Sequence, residues 1–122
     1  MKPADLVIVV PMLGRAHRVE PLLASIDATV PGCRVLFCLT PGDDAVLVAV
    51  KDAGREYLMV ERQPVGDYAR KINAGYRHTT EPLLFTAADD LYFHPGWFEA
   101  ACAHLGPTVG VVGTNDLGNP RV

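Results

Sequence analysis

The order of apolar segments constrains the fold of this chain more than any other feature of its sequence. Short runs rich in β-branched residues, each bounded by Pro or Gly, alternate with longer segments of helical periodicity. Such runs predict strands, and their alternation with helices predicts a βαβαβαβαβ order. The predicted strands cover residues 6–10, 35–39, 57–60, 83–86 and 109–112.

The first, second and last of these runs are almost continuously apolar rather than alternating. A strand with this composition needs helices on both of its faces, which is typical of parallel sheets. We therefore predict an α/β fold, a Rossmann-like three-layer sandwich with a mostly parallel sheet. Ligands of such folds bind at the carboxyl ends of the strands.

Four helices are predicted between the strands, each from apolar spacing and from capping residues at its ends. The first carries Val19, Leu22, Leu23 and Ile26, with Pro21 in its first turn; the second runs from Asp43 or Asp44 to Gly54; the third begins near Gly66 and Asp67, with Tyr68, Ile72, Gly75 and Tyr76 on one side; the fourth runs from Trp97 to Leu105.

Size and charge exclude several functional classes. A length of 122 residues suits one compact domain, and we assign residues 1–122 to a single domain. The net charge is -3 and no cluster of Lys and Arg is present, which argues against nucleic acid as a partner. We find no signal peptide and no transmembrane segment. Three cysteines without a C-x-x-C motif favour a reducing, cytoplasmic location.

Polar residues follow the first two predicted strands. Residues 11–15 read Pro-Met-Leu-Gly-Arg, where the glycine allows a close approach of the backbone to a ligand. Arg15 is a candidate for a phosphate or a base, although a solvated arginine in an ordinary turn is an equal alternative. After the second strand, Thr40 and Gly42 are candidates for nucleoside contacts. Asp43 or Asp44 is more simply explained as a helix cap.

The segment after the fourth strand is the most informative. Asp89 and Asp90 are adjacent carboxylates, which repel each other unless a cation or hydrogen-bond donors compensate. A divalent ion that joins Asp89 to a diphosphate would compensate, since Mg²⁺ or Mn²⁺ takes few protein carboxylates and fills its shell with phosphate oxygens and water. The alternative is a solvated turn, which is also the simpler explanation of His94.

These segments together resemble the core of family 2 glycosyltransferases, which have the GT-A fold of the nucleotide-diphospho-sugar transferases. Residues 66–76 read Gly-Asp-Tyr-Ala-Arg-Lys-Ile-Asn-Ala-Gly-Tyr, and a predicted strand, Ala-Asp-Asp at 88–90 and His-Pro-Gly-Trp at 94–97 follow. In that family an Asn-x-Gly helix precedes a strand with a D-x-D motif, and a segment containing proline follows. The resemblance covers nearly the whole chain, and only the combination of motifs is specific.

The resemblance implies transfer of a sugar from a nucleoside diphosphate sugar, of the UDP, GDP or TDP type, to an acceptor hydroxyl with Mn²⁺ or Mg²⁺. Asp89 matches the last Asp of D-x-D, the metal ligand, whereas Ala87 stands where the first Asp would be. It also implies that Asp67 or Lys71 faces the base or the diphosphate. The candidate binding residues are Pro11, Leu13, Gly14, Arg15, Thr40, Asp67, Lys71, Ala88, Asp89 and Asp90.

Enzymes of this type place their acceptor site, and the base of inverting members, beyond the point that corresponds to Val122. Asp116 is the one late carboxylate that could act as a base, although its Asn-Asp loop is equally typical of a simple turn. The resemblance therefore predicts either a fragment or a minimal protein completed by another subunit. Retaining and inverting reactions both stay open.

Three other functions are compatible with the same architecture. A nucleotidyltransferase would need a Gly-rich first loop, whereas residues 11–15 contain one glycine. A non-catalytic nucleotide-sugar-binding or self-associating domain would bind without turnover and pair its sheet edge with a second copy, as a homo-oligomer. A Rossmann-like domain without a nucleotide site would ignore both metal and nucleotide.

Overall fold

The computed structural model describes residues 1–114, which form a four-stranded parallel sheet in the order β3-β2-β1-β4 with helices on both faces. The α/β prediction is therefore confirmed. The strands are β1 (Leu6–Pro11), β2 (Arg34–Leu39), β3 (Glu56–Met59) and β4 (Leu83–Thr86), and the helices are α1 (Val19–Thr29), α2 (Asp44–Asp52), α3 (Asp67–His78) and α4 (Trp97–His104).

The two central strands explain the continuous apolar runs in the sequence. Successive residues of a strand point to opposite faces, so Ile8 and Val10 pack with α1, α2 and α4, while Val7 and Val9 pack on the face that α3 covers. All four side chains are fully buried. Because β1 and β2 have helices on both faces, neither strand has a solvent face on which polar residues would alternate.

The strand order places a switch point beside β1. The chain adds β2 and then β3 on one side of β1, and later adds β4 on its other side. The loops that follow β1 and β4 therefore diverge from neighbouring strand ends, which leaves a crevice between them. Crevices of this origin are the usual ligand sites of open α/β sheets.

The predicted fifth strand at residues 109–112 is not present in the structure. Val109 makes one isolated antiparallel bridge with Gly106, and the following residues up to 114 belong to no strand. Val111 is 88% exposed. An apolar run becomes a strand only where a neighbour takes its backbone hydrogen bonds, and within residues 1–114 no strand lies beside this one.

Helix α3 buries only part of the predicted side. Gly75 is buried and Ile72 packs against the core, whereas Tyr76 is largely exposed and Lys71 is buried. Gly75 lies so close to β1 that a Cβ atom there would be 2.5 Å from Val9 Cγ1. The helix therefore needs glycine at this position to reach the sheet.

Replacement of Gly75 with Ala should destabilise the fold by about 1–3 kcal/mol, since overpacking against Val9 outweighs the helix propensity gained, which is about 1 kcal/mol. Urea unfolding of the two proteins measures the difference. Gly75→Ala and Val9→Ala together should cost less than the sum of the two single changes, because Val9→Ala removes the methyl groups that clash. A Gly75→Ala protein as stable as the original would contradict the close approach.

Residues 1–114 contain no helix with the length and apolar character needed to cross a membrane.

Candidate functional site

A cavity of about 230 Å³ opens at the carboxyl ends of β1 and β4, beside the first turns of α3. Its walls come from three parts of the chain that the parallel sheet brings to one edge. The lining residues are Pro11, Met12, Leu13, Arg15, Asp67, Tyr68, Lys71, Ala88 and Asp89.

Arg15 has an unusual backbone conformation. Its φ of 56° makes it the one non-glycine residue between 1 and 114 in the left-handed region, directly after Gly14 with a φ of 69°. This conformation costs a residue with a side chain about 1–2 kcal/mol. Strain of this kind is kept where the surrounding structure enforces it, and it is concentrated at functional sites.

The side chain of Arg15 forms an ion pair with Asp89. The guanidinium donates from Nη2 to Asp89 Oδ1 at 2.6 Å and from Nε to Asp89 Oδ2 at 3.0 Å. The Asp89 side chain is 4% exposed and that of Arg15 is 55% exposed. The buried carboxylate is therefore neutralised, while the guanidinium still presents a face to solvent and to the cavity.

Lys71 is a buried lysine whose amine joins the loops after β1 and β2 to the first turn of its own helix. Its Nζ donates to the Met12 carbonyl at 2.9 Å, to Thr40 Oγ1 at 2.8 Å and to Asp67 Oδ2 at 2.8 Å. An ammonium group has three N–H donors, so these bonds use all of them. The hydrogen bond from Lys71 holds the pKa of Asp67 below its usual range, and a bond from the Gln63 backbone N–H contributes.

Asp43 has a different role from the predicted one. It occupies the N-cap position of α2, as one of the two alternatives expected, but its side chain makes no capping hydrogen bond. Instead its Oδ2 accepts a hydrogen bond of 2.7 Å from the backbone N–H of Gly14. Asp43 therefore ties the loop after β2 to the loop after β1, and so supports the turn that carries Arg15.

Two lining residues were not among the predicted binding residues. Met12 is buried, with its backbone N–H donating to the Cys38 carbonyl, which extends the pairing of β1 and β2. Tyr68 donates from its hydroxyl to the Ala87 carbonyl at 2.9 Å and so bridges α3 to the end of β4. The position of Tyr68 one residue after Asp67, in the first turn of α3, is the signal that could have identified it.

The structure brings most of the predicted site residues together. Pro11, Leu13, Arg15, Asp67, Lys71, Ala88 and Asp89 line the cavity. Gly14 and Thr40 lie behind it, bonded to Asp43 and Lys71 respectively. Asp90 is exposed and is not part of the lining, and Asp116 lies outside the described residues.

The donor atoms of this site decide what kind of metal ion could fit. Residues 1–114 contain no group of three or more His, Cys, Asp or Glu side chains arranged to hold a metal. Asp89 is the carboxylate at the end of β4, and Arg15 occupies both of its oxygens. An ion held by protein ligands alone does not fit, whereas an ion that takes most of its oxygens from a diphosphate needs only one such carboxylate.

A larger cavity of about 440 Å³ lies beside β4 and α4. Its walls are mainly apolar and aromatic, with Phe85, Tyr92 and Trp97 among them, and its ionisable groups besides Tyr92 are His94 and His104. Among residues 1–114, no carboxylate, lysine or arginine lines it, so the described walls differ in charge from those of the smaller cavity.

No protein family and no curated protein matches this chain by sequence. A solved structure does match: the mannosyltransferase PcManGT from Pyrobaculum calidifontis, in complex with GDP-Man and Mn²⁺. The TM-score is 0.72 at 21% identity, over 90% of this chain. The chain spans 34%, about a third, of that neighbour's length. The likeness establishes that this chain shares its α/β fold with a mannosyltransferase.

Proposed function

We propose that this chain binds a nucleoside diphosphate sugar in the cavity at the carboxyl ends of β1 and β4, as the donor-binding part of a GT-A glycosyltransferase of the family 2 type. The observation that carries the proposal is the half-exposed side chain of Arg15, whose guanidinium is held at the cavity by the buried carboxylate of Asp89. The shared fold with an enzyme that binds GDP-Man supports it.

Each wall of the cavity has a chemistry that suits one part of such a ligand. The guanidinium of Arg15 matches two phosphate oxygens at once, which makes arginine the preferred residue for diphosphates. Leu13 is 47% exposed beside it and offers an apolar surface to a base. Lys71 and Asp43 hold the loops in place rather than contact the ligand, because their hydrogen bonds go to neighbouring loops.

Asp89 is the residue that would hold a Mn²⁺ or Mg²⁺ ion on the diphosphate. Such an ion would supply positive charge to the departing nucleoside diphosphate. The role of this chain's own residues is to bind and orient the donor, so that the bond between the sugar and the diphosphate faces an acceptor hydroxyl.

Three free cysteines are consistent with a cytoplasmic protein.

A second candidate function is nucleotide-sugar binding without transfer. It requires only the cavity at the carboxyl ends of β1 and β4, and no acceptor site. Both functions predict nucleotide binding, and only the first predicts release of free nucleoside diphosphate when an acceptor is added.

Calorimetric titration with UDP, GDP and TDP, each with Mn²⁺ and with a chelator, tests the proposal. We expect one of the three nucleotides to bind, with Mn²⁺ strengthening the binding. The matching nucleoside monophosphate is the control, since it lacks the second phosphate and should bind more weakly. If a folded chain binds none of the three, the proposed function is wrong and a domain without a nucleotide site is favoured.

A further inference from the structure

Asp89 faces two competing demands. In the proposed function its carboxylate holds a divalent ion, yet in the structure both of its oxygens accept hydrogen bonds from Arg15, at 2.6 and 3.0 Å. A carboxylate with both oxygens engaged by a guanidinium has little capacity left for a metal ion, and the positive charge of the guanidinium repels a second cation. The two cations therefore exclude each other at this residue.

We propose that Arg15 is an internal lock on Asp89: the carboxylate becomes available to a divalent ion only when the diphosphate of the nucleotide has drawn the guanidinium away. This inference rests on the proposed function, because the same diphosphate is the ligand of Arg15. It adds an order of binding, with the nucleotide before the metal, and a strong coupling between the two.

The exposure of the pair determines which partner moves. The Arg15 side chain is 55% exposed on a surface turn, whereas that of Asp89 is 4% exposed in the turn that follows β4. The guanidinium can turn from the carboxylate to a diphosphate without leaving solvent. A diphosphate carries more negative charge than one carboxylate and offers the same paired geometry of oxygens, so it competes well for the guanidinium.

Burial of Asp89 explains why departure of Arg15 would favour a metal ion. A buried carboxylate that loses its cationic partner has a large energetic cost. Lys71 does not take over this role, since its three donors are engaged by Met12, Thr40 and Asp67. A divalent ion that binds once the diphosphate is in place restores the charge balance, so nucleotide and metal each strengthen the binding of the other.

Binding of Mn²⁺ in the absence of nucleotide tests the lock without any assay of activity. The electron paramagnetic resonance signal of free Mn²⁺ gives the bound fraction for each protein. A single carboxylate holds Mn²⁺ weakly, so the ratio of affinities is the measured quantity: we expect binding on the order of tenfold tighter by Arg15→Gln than by the unmodified chain, because that change releases Asp89. Arg15→Lys should lie between them, since lysine keeps the charge but loses the paired hydrogen bonds.

Two further variants identify the source of the gain. Arg70→Gln removes the same charge from an exposed position on α3, and it should leave Mn²⁺ binding at the level of the unmodified chain. Addition of Asp89→Asn to Arg15→Gln should abolish the gain, because the released carboxylate is then absent. Circular dichroism confirms that each variant is folded, and Arg15→Lys tests the lock if Arg15→Gln does not fold.

The outcomes separate this inference from the proposed function. If the unmodified chain binds Mn²⁺ alone as tightly as the Arg15 variants do, the lock is wrong, even where nucleotide binding is intact. If the Arg15 variants gain Mn²⁺ affinity but the folded, unmodified chain binds no nucleotide, the proposed function and the exchange with a diphosphate are both wrong. Both are supported if the Arg15 variants gain Mn²⁺ affinity and if, in the unmodified chain, nucleotide and Mn²⁺ each strengthen the binding of the other.

Discussion

Replacement of Asp89 with Asn is expected to remove the Mn²⁺-dependent part of nucleotide binding, a loss on the order of 100-fold in affinity at saturating Mn²⁺. The amide has nearly the shape of the carboxylate but lacks the charge that holds a divalent ion. The fold should survive, because Arg15 is 55% exposed and can be solvated once its partner is gone. Calorimetric titration of the nucleotide with and without Mn²⁺ measures the effect.

Two carboxylates serve as comparisons for this result. Asp52→Asn makes the same chemical change at the exposed end of α2, and it should leave nucleotide binding unchanged. Asp90→Asn distinguishes the two adjacent aspartates: a smaller loss than that of Asp89→Asn is expected, since Asp90 is exposed and does not line the cavity. Equal Mn²⁺-dependent binding by Asp89→Asn and the unmodified chain would exclude Asp89 as the metal ligand.

The elements that the sequence predicted correctly are those whose pattern is local. Strands β1 and β2 were recognisable because both of their faces are buried, which leaves a continuous apolar run between turn residues. Helix α1 was recognisable from apolar spacing, with Pro21 tolerated in its first turn. Residues 109–112 have a similar local pattern, but a strand also needs a neighbour, and local sequence does not provide one.

The connections within the site could not be predicted in the same way, because they join residues that are far apart in sequence. Arg15 and Asp89 are separated by 74 positions, and Lys71 and Met12 by 59. The sequence placed these residues at strand ends and on the first turns of a helix, and a parallel sheet brings such positions to one edge. Which side chain bonds which partner depends on distances that only the folded chain sets.

Asp43 shows how a local rule can identify the position and miss the interaction. Aspartate at the start of α2 is favoured by capping, and the helix does begin there. The carboxylate instead bonds the N–H of Gly14, 29 positions away, because the loop after β1 lies within 2.7 Å of it. The same holds for Lys71, which as a lysine is expected at the surface but lies buried, with its amine bonded to the loops after β1 and β2.

Lys71→Met should lower the free energy of unfolding by about 2–4 kcal/mol and weaken nucleotide binding as well. Methionine fills much of the space of the buried lysine stem but donates no hydrogen bond. The Met12 carbonyl and the Thr40 hydroxyl would lose a partner at a buried point, and Asp67 would lose its ion pair. Urea unfolding gives the stability, and Lys2→Met at an exposed position before β1 is the control, expected within about 0.5 kcal/mol of the unmodified chain.

The pH dependence of the stability lost in Lys71→Met distinguishes the ion pair with Asp67 from the hydrogen bonds to Met12 and Thr40. The pKa of Asp67 is lowered in the folded chain, first by the hydrogen bond from Lys71, so the pair stabilises the fold above the ordinary aspartate pKa of about 3.9. This contribution disappears as the pH falls through the lower pKa of the folded state. The difference in the free energy of unfolding between Lys71→Met and the unmodified chain should therefore be smaller at pH values below about 4 than at pH 7. A difference that stays constant would mean that the bonds to Met12 and Thr40, and not the pair with Asp67, make this lysine necessary.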